Sequence, residues 1–152
     1  MDAHPCPISE FFNGTKQMLV PLFQRSYEWS DRHWERLWDD LLEQYEKQGE
    51  ELFVTHFTGA IVTAPAHSVP VGVSKYLVID GQQRLTTIAI IICAIRSLFP
   101  KNTPQFRKLT KLLINEDDEG LDYYKLLPTQ PDREAFQALV NEHSPLLAPH
   151  ST

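Results

Sequence analysis

The stretch from Leu85 to Phe99 constrains this chain more than any other. It reads LTTIAIIICAIRSLF and is apolar around most of its circumference. A helix of that kind has no wet face to offer, so it belongs at the centre of a fold with other elements packed about it. Pro100, just past it, marks its end. Immediately upstream, Tyr76 to Ile79 reads as a buried strand. The two are joined by Asp80-Gly81-Gln82-Gln83-Arg84, a polar turn with one glycine.

Other elements follow from pattern. Gln17 to Phe23 reads as an extended segment, and Pro21 makes it an edge or irregular strand. Ser30 is a good N-cap for an amphipathic helix over Asp31–Lys47, with Trp34, Leu37, Trp38, Leu41, Leu42 and Tyr45 at helical spacing. Trp34 and Trp38 are expected in the core. His56 to Thr63 reads as a strand and Ala64 to Ser74 as a loop. Pro104 to Ile114 suggests a more polar helix, Asn115 to Gly120 an acidic turn in which Asp117, Asp118 and Glu119 are solvated, and Tyr123 to Leu127 a short strand. Pro131 at a first helical position opens a helix to Val140. Residues 141–152 have little pattern and form a loose tail. Strands and helices of this mix define an α/β (α+β) domain of one core, and 152 residues suffice for it.

Charge narrows the function. The net charge is -6, which excludes a protein that coats nucleic acid non-specifically, because phosphate neutralisation needs clustered Lys and Arg. A small basic pocket for one ligand remains compatible. Two cysteines, Cys6 and Cys93, give no disulfide framework, so a reducing, cytoplasmic setting is expected. The N-terminus lacks the pattern of a signal peptide, and the longest apolar run is far short of a membrane span. The six histidines show no metal-ligand spacing. His56 is a candidate site histidine or a structural one.

The turn after Ile79 carries the chemistry. Backbone N–H groups at a helix start point outward and favour anions. Gly81 allows a phosphate to approach the backbone. Gln82 and Gln83 both donate and accept, and Arg84 offers a planar fork suited to phosphate. Asp80 is placed to hold Mg²⁺ or orient a water, with Thr86 and Thr87 one turn further in. Equally, Asp80 could cap the helix and Gln82–Arg84 could be a solvated first turn. The glycine patterns of a Walker loop and of a dinucleotide fingerprint are both absent. A second candidate is Phe23-Gln24-Arg25-Ser26-Tyr27-Glu28-Trp29. Either it grips a phosphate and stacks a base, or Tyr27 and Trp29 staple the following helix while Arg25 pairs with a carboxylate.

Together, VPLFQRSYEWS, WERLWDDLLE, HFTGAIV and YLVIDGQQRLTTI, with the later KLLPTQPDREAFQAL, resemble the N-terminal domain of GmrSD-type restriction proteins (domain of unknown function 262) over residues 8–140. The resemblance implies a ParB/sulfiredoxin-like fold, a small mixed sheet with packed helices. It implies a nucleoside triphosphate-binding and hydrolysing domain that regulates restriction of modified phage DNA. Asp80, Gly81, Gln82, Gln83 and Arg84 occupy the family motif, with Asp80, Gln83 and Arg84 as the expected catalytic set. Gln24 and Arg25 match an upstream block expected to face the same nucleotide pocket. Mg²⁺ is the implied cofactor, held at Asp80. The alternative is a DNA-binding module for modified DNA with no catalysis of its own. Family members continue into a helical region and usually a nuclease domain. This chain is therefore expected to be a truncated or stand-alone domain, with DNA reached through a C-terminal region or a partner subunit and self-association left open.

Overall fold

The computed structural model describes residues 3–49, 59–66 and 72–142. A short helix α1 (Ile8–Phe11) leads into β1 (Lys16–Leu19), then α2 (Asp31–Glu46), β2 (Val62–Pro65), β3 (Ser74–Asp80), α3 (Gln82–Arg96), α4 (Pro104–Thr110), a 3₁₀ turn at Gly120–Tyr123, β4 (Leu126–Leu127) and α5 (Gln130–Val140). The sheet order is β2-β3-β1-β4. β1 runs parallel to β3, Lys16 opposite Ser74 and Leu19 opposite Leu77, and parallel to β4 on its other side. β2 is antiparallel to β3. The fold is a mixed α+β domain.

The central position of the apolar helix holds, but it ends at Arg96, short of the expected Phe99, and Leu98 is exposed. Leu85, Ile88, Ala89, Ile92 and Cys93 of α3 are buried with Met18 and Val20, Val78 of β3, Leu126 of β4, and Phe136 and Val140 of α5. α3 starts three residues earlier than its apolar pattern, so Gln82–Arg84 form its first turn. An arginine is buried against this core. Arg96 is 2% exposed; its Nη2 donates to Val140 O at 2.6 Å and Leu139 O at 3.3 Å, and its guanidinium lies 5.4 Å from the Phe106 ring. It thus satisfies the last carbonyls of α5, which a helix end leaves without partners.

Several boundaries differ from the pattern. The first strand stops at Leu19: Pro21 has no N–H to give, and its carbonyl accepts from Gln24 N in a turn. β2 lies further along than expected, running to Pro65 inside the predicted loop. It tolerates Pro65 because it is an edge strand. His56 lies outside the described residues. Only Leu126–Leu127 of the predicted 123–127 strand pairs in the sheet, since Gly120–Tyr123 coils into the 3₁₀ turn. The helix from Pro104 ends at Thr110, and Ile114 instead bridges Tyr124. α5 begins at Gln130, so Pro131 is its second residue.

The expected burial of Trp34 and Trp38 fails. Trp38 is 61% exposed, and no residue of α2 is buried; the apolar stripe of α2 is not covered by the core. Trp34 is half-buried, under Trp29. In the acidic turn Asp117 and Glu119 are exposed and Asp118 is partly so, while Asn115 at its start is buried. Asn115 is 4% exposed, and its side-chain amide pairs with the backbone of Lys16, accepting from Lys16 N at 3.3 Å and donating to Lys16 O at 3.0 Å. It does with a side chain what a neighbouring strand does with its backbone. Glu116 is exposed as well. Among the described residues, no helix is long and apolar enough to cross a membrane.

Candidate functional site

The pocket is assembled where β3 ends. Asp80 is the last residue of β3, and Gly81, at φ +94°, turns the chain into α3. A side chain there would be strained, and its Cβ would sit 3.0 Å from Ala60 O and 3.2 Å from Ile61. Asp80 does not cap the helix. Its Oδ1 accepts only from Gly81 N, at 2.9 Å, and Gly81 supplies no side-chain cap. The first intrahelical bond is Leu85 N to Gly81 O. The N–H groups of Gln82, Gln83 and Arg84 consequently find no acceptor among the described residues.

At this helix start lies a pocket of about 200 Å³ lined by Arg25, Trp29, Asp80, Gly81, Gln82, Gln83 and Arg84. The structure thus brings the two sequence blocks together. Arg84 is held from below: its Nη1 donates to Ala60 O, and its guanidinium lies against Gly59, whose φ of +114° and missing Cβ make the space. Gly59 was legible in the sequence only as a glycine inside a strand-like run. Arg25 is exposed and makes a 3.7 Å ion pair with Glu28, which leaves it free to turn toward an anion, since exposed pairs of this kind are weak. Trp29 stacks on His33 with centroids 5.5 Å apart and meets Trp34 edge-on at 5.6 Å. It both staples α2 and lines the pocket.

Gln24 lines no part of the pocket. Its Nε2 donates to Ile79 O and its Oε1 accepts from Gln82 Nε2, both at 3.1 Å. Gln83 accepts from Glu28 N at 2.8 Å and donates to Ser26 O at 2.9 Å. Thr86 and Thr87 do not reach the ligand space; their hydroxyls donate back to Gln82 O and Gln83 O, each at 2.8 Å. With the Thr87 proton so used, Tyr27 is the donor in its 2.9 Å bond to Thr87 Oγ1. Burial pushes the Tyr27 phenol above its ordinary range. Asp132, which pattern alone did not single out, accepts from Tyr27 N at 2.7 Å and from Thr129 Oγ1 at 2.9 Å. The DREAF segment at the start of α5 was the available signal for it.

A small mixed sheet, with a glycine turn feeding an uncapped helix start beside two arginines and a tryptophan, defines an α+β domain with a polar pocket at the end of its central strand. The chain belongs to the GmrSD restriction endonuclease N-terminal domain family, whose profile matches residues 8–151. It is thereby a component of the restriction endonuclease type that the family describes. No curated protein matches it.

Proposed function

We propose that this domain binds a nucleoside triphosphate at the start of α3 and regulates, through binding and hydrolysis, a restriction system directed at modified DNA. The observation that carries the proposal is that Gln82, Gln83 and Arg84, whose N–H groups find no acceptor among the described residues, line one pocket with Arg25 and Trp29. The N–H groups and α3 dipole receive phosphate oxygens. Arg84, fixed on Ala60 O, adds a charge-assisted contact, and Arg25 swings from Glu28 to add a second. Trp29 offers a flat face for the base. A ParB/sulfiredoxin-like ancestry is part of the same proposal, supported by the small mixed sheet.

Mg²⁺ fits as a companion of the phosphates. Among the described residues no cluster of three or more ligands could cage an ion. Asp80 lines the pocket as its single carboxylate, and Asp80 Oδ2 has no partner among the described residues. One carboxylate plus phosphate oxygens is an ordinary Mg²⁺ environment, and the ion would supply charge neutralisation there. Asp80 itself orients a water by accepting its proton in a hydrogen bond, and phosphoryl transfer asks mainly for such positioning.

Calorimetric titration with GTP and ATP, each with Mg²⁺, tests this. Saturable binding that is lost in Arg84→Ala supports it, and a folded chain that binds neither nucleotide overturns it. The alternative, a DNA-binding module, predicts instead affinity for duplex DNA that falls steeply with salt; the net charge of -6 opposes it.

A further inference from the structure

We infer that Gln83 is a positioning residue, latching Ser26-Tyr27-Glu28 onto α3 so that Arg25 and Trp29, on either side of that tripeptide, are held at the pocket. This rests on the nucleotide-pocket proposal and deepens it. A glutamine amide both donates and accepts, which neither a carboxylate nor a cationic side chain does. Gln83 uses both ends on one strip of backbone: Oε1 takes Glu28 N–H at 2.8 Å and Nε2 gives to Ser26 O at 2.9 Å. One turn later on the same helix face, Thr87 Oγ1 takes the hydroxyl of Tyr27 at 2.9 Å. Residues 26, 27 and 28 are each gripped by this pair of positions, four apart on α3. Asp132 holds Tyr27 N from the other side at 2.7 Å.

The side-chain atoms of Gln83 are thereby spent inside the protein. The residues flanking the gripped tripeptide are not: Arg25 and Trp29 both line the pocket. Gln83 therefore acts on a ligand through them, and its backbone N–H is what it offers directly.

A double-mutant cycle on the full chain tests this, with nucleotide affinity read by calorimetry for Gln83→Met, Arg25→Ala and the pair. Gln83→Met keeps the length of the side chain and removes both bonds. It is expected to weaken binding roughly tenfold, and Arg25→Ala is expected to add almost nothing on top of it, because the two losses share one cause. Full additivity would mean that Gln83 touches the ligand itself and would overturn the positioning role. Tyr27→Phe, which loosens the same tripeptide from Thr87 and leaves both Gln83 bonds in place, is expected to weaken binding less and to be similarly non-additive with Arg25→Ala. Hydrogen exchange at the Glu28 amide reads the latch without any ligand and is expected to speed up in Gln83→Met. An unchanged rate there removes the latch. Faster exchange in Gln83→Met, together with a wild-type chain that binds no nucleotide, removes the pocket proposal, and the positioning role with it, while leaving the latch as a structural fact.

Discussion

A Cβ built on Gly59 would lie 2.5 Å from Cζ of Arg84. The guanidinium occupies the volume that any other residue at position 59 would fill, and the backbone there, at φ +114°, is one that L side chains rarely adopt. Gly59→Ala is therefore expected to evict Arg84 from Ala60 O and to reproduce the binding defect of Arg84→Ala, on top of a stability loss of about 1–3 kcal/mol from backbone strain. Paired nucleotide titrations and thermal melts of the two variants check it. Wild-type affinity in Gly59→Ala would show that the Arg84 contact does not matter to the ligand.

Arg96 is expected to be among the costliest single positions. Arg96→Met keeps much of the stem and removes the guanidinium, leaving the Val140 carbonyl without its side-chain donor and Leu139 O with Glu142 N–H alone. A loss of about 2–4 kcal/mol follows for groups left unsatisfied in the core, read as a lower urea midpoint. A change under about 0.5 kcal/mol would show that water replaces the guanidinium at no cost.

Asn115→Asp separates shape from chemistry. The carboxylate still accepts from Lys16 N but cannot donate to Lys16 O or Asp122 O, where the amide nitrogen sits at 3.0 and 2.9 Å. Destabilisation of about 2–3 kcal/mol at neutral pH is expected, easing as the medium is acidified enough to protonate the new side chain. Equilibrium denaturation at two pH values measures both parts.

Much of this fold could be read from the sequence, and what could not has a physical cause. The α3 core was visible because nothing but burial suits fifteen residues with so little polar surface. The strand before it and the glycine turn followed. Arg96 was hidden inside the same run, since a lone arginine in an apolar helix says nothing about which carbonyls it will meet 43 and 44 residues later. Asn115 looked like part of an acidic turn, because side-chain pairing with Lys16 is a contact across 99 residues. Trp38 misled for the opposite reason: helical spacing identifies an apolar stripe, not the surface that will cover it. At the site, both motifs were legible as motifs. Their mutual grip through Gln82, Gln83 and Gln24 was not, because hydrogen-bond partners 55 to 58 residues apart leave no local trace.

Trp38→Ala should accordingly cost less than about 1 kcal/mol, against about 2–5 kcal/mol for Leu85→Ala, whose side chain is fully buried. Chemical denaturation of the two variants side by side makes the comparison. Equal losses would mean that Trp38 is covered in solution.

The two cysteines should behave differently. Cys6 is exposed and Cys93 is buried, with its thiol pushed up by burial to about 11. Iodoacetamide is expected to modify one thiol quickly in the native state and the second only on unfolding. Because the folded thiol titrates above its ordinary value of 9.0, the stability it contributes is intact below pH 9 and is lost as pH rises through 11. The fall in melting temperature between pH 8.5 and 10.5 should thus be smaller in Cys93→Ala than in the wild type. Lys125, whose ammonium is held below its usual range chiefly by burial and by Lys16, acts in the opposite sense, but it is common to both proteins and cancels in the difference.

The ring contacts and hydrogen bonds that tie α2 to the rest of the described chain gather at its start, around Trp29, His33 and Trp34. Sixteen helical residues extend about 24 Å from there. The helix is a moment arm whose fulcrum is the rim of the pocket. A swing of about 10° at Trp29, too small to disturb the core, carries the end at Glu46 through about 4 Å, sweeping the exposed Trp38 and Tyr45 with it.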